Sequence, residues 1–154
     1  MIQLIRMNEI EYLAYLEKAV SEYAAEKIQA GNWTEAEALE RSRKDFERLL
    51  PQGHHTPSNF VNKLVSDNGE TVGYLWYCIL DNAVTKGFIY DFEIYPQYRR
   101  RGYASQALAA LENEAKEIGV KKLELHVFGF NIAARELYKK SGFIETNVNM
   151  AKEI

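Results

Sequence analysis

Residues 92–105 read Phe-Glu-Ile-Tyr-Pro-Gln-Tyr-Arg-Arg-Arg-Gly-Tyr-Ala-Ser. The run from Gly87 to Ile94 reads as a strand, and Pro96 ends it because proline cannot continue a ladder. Beyond the arginines, Tyr103, Ala107, Leu108, Leu111, Ala115 and Ile118 recur at helical spacing. The segment is therefore strand, basic turn, helix N-terminus. The first backbone N–H groups of a helix lack partners inside it and carry partial positive charge. Gly102 has no Cβ and lets a ligand approach the backbone, and Ala104 and Ser105 keep that approach open. Arg99, Arg100 and Arg101 add charge, so the turn suits a phosphate or pyrophosphate.

Downstream, Gly119 suits the end of that helix. Lys122–Phe128 reads as a strand with Leu123, Leu125 and Val127 on one face and Glu124 and His126 on the other. Asn131 opens a helix over 131–140 that Gly142 ends, and Phe143–Thr146 and Val148–Ala151 read as two last strands. Upstream, Phe60–Ser66, Val72–Leu80 and Val84–Tyr95 form an antiparallel meander, with Asp67-Asn68-Gly69-Glu70 and Asp81-Asn82 as turns. Before the meander come a short strand, Ile2–Arg6, and two amphipathic helices. Asn8…Glu11 and Thr34…Glu37 are capping boxes for them. The expected apolar stripes are Ile10, Leu13, Leu16, Val20, Tyr23 and Ala24, then Ala38, Leu39, Phe46, Leu49 and Leu50.

Composition narrows the function. The 154 residues are one domain, 1–154, with 47% hydrophobic residues, enough for a core at this size. No run reaches the roughly 18 apolar residues of a membrane span, and the N-terminus lacks a signal-peptide core. The single cysteine, Cys78, excludes an internal disulfide and a multi-cysteine zinc site. A cytoplasmic protein that does not bind membranes is expected. A net charge of −3 is the wrong sign for a nucleic-acid binder, and no lysine-bearing phosphate loop is present. The pair His54-His55 has no carboxylate cluster around it, so no metal site is expected.

Two motifs now stand together: Arg99-x-x-Gly102-x-Ala104, and the run from Leu123 through Asn131 and Leu137-Tyr138 to Gly142-Phe143. They resemble the GNAT superfamily of N-acetyltransferases, over roughly residues 60–152. The resemblance implies an α+β (mixed α/β) fold with a central, mixed and mostly antiparallel sheet, splayed central strands and about four helices. It implies acetyl-CoA as cosubstrate, its pantetheine arm wedged between the splayed strands, and an amine-bearing acceptor, small molecule or peptide. Phe92, Glu93 and Ile94 would offer backbone bonds to the acetyl and pantetheine amides. Residues 99–105 would hold the pyrophosphate. Asn131 would bond the pantetheine arm, a role compatible with capping its helix. Tyr138 would be the general acid for the leaving thiolate. Glu93 or His126, directly or through water, would be the base, with Asp91 beside them to attract a cationic amine. Trp33, His54, His55, Trp76 and Tyr77 are acceptor-site candidates by topology alone. The alternative is a non-catalytic acyl-CoA-binding or sensing module. The last strands or a free edge are available to form a homodimer.

Overall fold

A computed structural model describes residues 1–80 and 86–154. The Asp81-Asn82 turn and the first two residues of the strand expected from Val84 lie outside the described residues. Among the described residues five strands form one sheet in chain order: β1 (Gln3–Arg6), β2 (Asn59–Val65), β3 (Thr71–Ile79), β4 (Lys86–Ile94) and β5 (Lys122–Leu125). The first four are antiparallel neighbours, and β5 joins β4 in parallel. Helices α1 (Glu9–Gln29) and α2 (Glu35–Leu49) precede β2, α3 (Tyr103–Glu117) makes the β4–β5 crossover, and α4 (Ile132–Lys140) follows β5. This is the α+β, mixed and mostly antiparallel arrangement expected.

The sheet is covered on both faces. Tyr74 and Trp76 of β3 pack with Tyr12, Tyr15, Ala19 and Val20 of α1 and Phe46 of α2. Leu75 and Tyr77 point the other way and pack with Ala107, Leu108 and Leu111 of α3, with Leu137 and Tyr138 of α4 at the margin. Alternation along β3 thus separates two cores.

Local signals decide several boundaries. Asn8 caps α1 with a complete capping box: Glu11 N–H donates to Asn8 Oδ1 at 2.8 Å, and Asn8 N–H donates to Glu11 Oε1 at 3.0 Å. At α2, Thr34 holds the cap position, but its hydroxyl donates to the Glu37 side chain and the reciprocal box does not form. The β2–β3 turn also departs from the expected two-residue Asn-Gly form. Gly69 alone has positive φ (+80°), Gly69 N–H donates to Ser66 O, and a register shift follows Leu64. That is a three-residue loop with its left-handed position on glycine.

The helix stripes are rotated from those expected. Ile10 and Leu13 are exposed, and Tyr12 and Tyr15 are buried in their place. On α2, Leu39 is exposed and Ser42 is buried, its hydroxyl donating to Val20 O at 2.6 Å and tying α2 to α1. Neither expected C-terminal strand forms. Beyond Phe143 the chain makes no backbone ladder, and β5 stops at Leu125 rather than Phe128.

Candidate active site

The site begins where β4 and β5 part. Their pairing runs from Lys86↔Lys122 to Ile89↔Leu125, and β4 then continues five residues beyond the last β5 pair. Bonded and non-bonded pairs alternate in an antiparallel ladder. Tyr95 N–H donates to Val72 O at 2.8 Å, which makes Glu93 and Asp91 the bonded residues toward β3. Phe92 and Ile94 therefore turn their backbone groups into the gap. Glu93, expected to share this backbone role, spends its main chain within the sheet and offers only its carboxylate.

Register shifts between Trp76 and Tyr77: Trp76 faces Asp91 and Tyr77 faces Ile89, leaving Tyr90 as a bulge. A bulge re-aims the side chains around it. Tyr90 stacks on Trp76 at 4.6 Å, and Asp91 accepts a 2.7 Å bond from the Tyr15 hydroxyl on α1. Glu93, two residues on, accepts from Tyr74 at 2.7 Å and from Arg99 at 3.2 Å. Burial pushes the Asp91 carboxyl up to about 7; the Tyr15 bond opposes this, and Glu26, Glu93 and Glu22 reinforce it. Burial also raises Glu26 above the usual carboxylate range, with Glu22 and Glu93 adding to it. The carboxylates on this side of the sheet therefore sense one another as a local negative field.

After β4 the arginines of the basic turn bond back onto the main chain. Arg99 Nε donates to Ile94 O at 2.8 Å, and Arg101 donates to Gln97 O at 3.2 Å. Arg100 and Gly102 both have positive φ, +62° and +79°. A non-glycine residue there is uncommon and marks a backbone held by its surroundings. The first helical bond of α3 runs from Gln106 N–H to Gly102 O, so the N–H groups of Tyr103, Ala104 and Ser105 lack helical acceptors. Behind them Gln106 keeps a buried side-chain oxygen without a partner among the described residues. The turn thus offers three N–H donors, guanidinium charge and a glycine at the close approach.

Across the gap stands α4. Asn131 caps it, Oδ1 accepting from Ala134 N–H at 3.3 Å. Tyr138 is half-buried between Phe92 and Phe143, with ring centroids at 6.5 and 5.6 Å. Its hydroxyl has no hydrogen-bond partner among the described residues. Burial, then the nearby Asp91 charge, pushes its pKa up to about 12. His126 lies just past the end of β5, its ring edge-on to Phe128 at 4.9 Å. Lost solvation and then Lys27 pull its pKa below the ordinary histidine value, so it is neutral at pH 7.

The remaining candidates scatter. Trp76 and Tyr77 are buried in the two cores. His54 packs on Tyr12 and on His55 near the start of α1. Trp33 meets Tyr23 edge-on, and Lys27 sits over both rings. Asp91 is the residue that sequence reasoning undervalues, because neither the bulge nor the Tyr15 contact has a sequence signal. A groove of about 490 Å³ along α1, lined in part by Tyr15, Lys18, Tyr74 and Tyr95, lies beside the same two tyrosines that bond Asp91 and Glu93.

The profile of the Acetyltransferase (GNAT) family matches residues 16–143. The chain belongs to the GNAT family. It is 42% identical over 154 residues to the Bacillus subtilis protein named uncharacterized N-acetyltransferase YycN, covering 99% of each chain. It is 36% identical to YdgE of the same organism, an uncharacterized N-acetyltransferase, over 96% of this chain and 95% of the relative. The crystal structure of YycN superposes with a TM-score of 0.95 at 41% identity, covering 100% of this chain and 99% of that one. As a GNAT member the chain is an acetyl-CoA-dependent N-acyltransferase. The residues present fit that cosubstrate: a pyrophosphate would meet donors and charge at the α3 turn, and a pantetheine arm would meet the Phe92 backbone and the Ile94 N–H in the gap.

Proposed function

We propose that this GNAT enzyme acetylates a primary amine that arrives as an ammonium ion, by direct attack on the thioester of acetyl-CoA. The carrying observation is convergence. The gap-facing backbone of Phe92, the Ile94 N–H, the Arg99–Ser105 turn and the Tyr138 hydroxyl border one gap, with Asp91 close enough to perturb Tyr138. The turn binds the pyrophosphate, and Asn131 reaches the pantetheine arm while capping α4. The Phe92 and Ile94 backbone aligns the pantetheine, and the free Ile94 N–H polarises the acetyl carbonyl. Holding amine and thioester in attack geometry supplies much of the rate.

Proton handling follows from the electrostatics. An ammonium is drawn by the Glu22, Glu26, Asp91 and Glu93 field. It must lose a proton before attack, and a carboxylate near 7 accepts one at working pH. Asp91 fits that role better than Glu93, whose two oxygens are engaged by Tyr74 and Arg99. Neutral His126 serves as a relay at the β5 side. Once Asp91 is protonated its charge no longer raises the Tyr138 pKa. Tyr138 becomes a stronger acid at the moment the leaving thiolate needs a proton, so base and acid act in sequence through one electrostatic coupling.

The test is calorimetric titration with acetyl-CoA against dephospho-CoA and ATP, followed by thiol release with a panel of amines. Micromolar binding of acetyl-CoA and amine-dependent thiol release support the reading. Binding without thiol release from any amine would return the chain to the silent acyl-CoA-binding alternative.

A further inference from the structure

Lys27 is held by aromatic rings and has no anion. Its Nζ sits over Trp33 at 5.3 Å, Tyr23 at 5.6 Å and Phe128 at 6.0 Å. It is half-buried, yet among the described residues it makes no ion pair and donates no hydrogen bond. The other half-buried lysines described are paired, Lys63 with Glu11 at 2.6 Å and Lys86 with Glu124 at 3.5 Å. Even exposed Lys18 has Glu22 at 3.5 Å. Aromatic faces attract an ammonium, but they do not supply oxygen acceptors for its three N–H donors. Donors left unmet in a half-buried place are costly.

What stands beside Lys27 gives that deficit a meaning. Glu22 and Glu26 form one i,i+4 pair on α1, and Tyr23 and Lys27 form the next, about 100° further round the helix. The glutamates belong to the negative field around Asp91. Tyr23 and Lys27 turn toward Trp33, which precedes α2, and Lys27 reaches Phe128, past the end of β5. His126 is near enough that burial, and then the Lys27 charge, lowers its pKa. One turn of α1 therefore presents a negative and a positive site side by side, at the β5 side of the acetyl-CoA gap.

We propose that the acceptor is a small amine that carries an anionic group, a carboxylate or a phosphate, a few bonds from its nitrogen, and that Lys27 binds that group. This rests on the acetyl-transfer reading above and adds the substrate class to it. The ammonium end is drawn by Glu22, Glu26 and Asp91, and the anionic end supplies the oxygens that the Lys27 donors lack. The three rings shield the pair from water, which strengthens it. A diamine would set its second charge against Lys27 and bind less well. In the reaction the N–C bond forms as the C–S bond breaks. Of the two protons the ammonium gives up, one ends on the thiol and one leaves through Asp91. The product keeps only its negative charge, so the acidic field that drew the amine now favours release.

Thiol release is measured with glycine, β-alanine and phosphoethanolamine, and with glycinamide, β-alaninamide and ethanolamine as counterparts without the anion. The anionic member of at least one pair is expected to show a kcat/KM about 10–100-fold higher, and which pair does so tells carboxylate from phosphate. Lys27→Met is expected to raise KM for the anionic amines about 10–100-fold, with kcat and the uncharged counterparts unchanged. Lys27→Arg is expected to keep the preference. Equal kcat/KM for both sets overturns the proposal. So does a Lys27→Met protein that loses both sets alike, which would make the lysine a structural strap only. If no amine releases thiol, calorimetry on the protein saturated with coenzyme A decides. Binding of the anionic amines that Lys27→Met abolishes keeps the proposal and removes the acetyl-transfer reading, whereas no binding overturns the proposal.

Discussion

Replacing Asp91 by asparagine should make this protein more stable and less active, with a characteristic pH dependence. The substitution preserves shape, and the amide oxygen still accepts the Tyr15 hydroxyl. The carboxyl stands at about 7 in the fold against an ordinary 3.8. A raised carboxyl favours folding only while protonated: its contribution is complete below about 3.8 and is lost as pH rises through about 7. The shift corresponds to about 4 kcal/mol at most, and relaxation around a buried charge lowers that to about 2–4. Urea unfolding at pH 4.5 and pH 8 is the assay. The Asp91→Asn protein should gain about 1 kcal/mol or less at the lower pH and about 2–4 at the higher, levelling off above 7. Turnover at pH 8 should fall by about 10²–10⁴, and its rise with pH near 7 should vanish. Destabilisation at pH 8, or an equal gain at both values, would refute the account of a desolvated carboxylate.

Tyr138→Phe should lower turnover by about 10²–10⁴ and leave acetyl-CoA affinity nearly unchanged, which rapid-mixing kinetics and calorimetry separate. Gly102→Val forces a β-branched residue to φ +79° and should weaken acetyl-CoA binding severely, since the pyrophosphate turn must distort. Gly73→Ala should weaken the β3–β4 pairing itself: a Cβ there would lie 2.0 Å from Glu93 O, so a fall in melting temperature is expected before any kinetic effect. Ser42→Ala removes the buried bond to Val20 O and should cost about 1–3 kcal/mol in urea unfolding, with acetyl-CoA affinity intact.

Much of this is legible in the sequence because local chemistry acts at short range. The Asn8 box, Pro96 and the Arg99–Ala104 turn each carry their own signal, and the structure has an element boundary at each. The stripe of α1 differs from its pattern by a rotation. Ile10 and Leu13 satisfy helical spacing as well as Tyr12 and Tyr15 do, and only Asp91 and Tyr74 on distant strands select the tyrosines. The bulge at Tyr90 is invisible in sequence for a related reason, since it depends on how two strands meet. The C-terminal strands are legible as pattern, but a pattern does not name its partner. The base is underdetermined in sequence because Asp91 and Glu93 look alike there and differ through Tyr15, Tyr74 and Arg99.

Because the strands lie in the sheet in chain order, the molecule is assembled in an unequal sequence. The β2–β3 and β3–β4 pairings join near neighbours along the chain and close quickly. The parallel β4–β5 pairing waits for the whole of α3. During synthesis the antiparallel part can form while residues 122–140 are still inside the ribosome, and the wall that completes the gap arrives last. A ligand that spans β4 and β5 then acts as a late clasp. Refolding of this enzyme should gain most from acetyl-CoA in its final phase, after the meander has already closed.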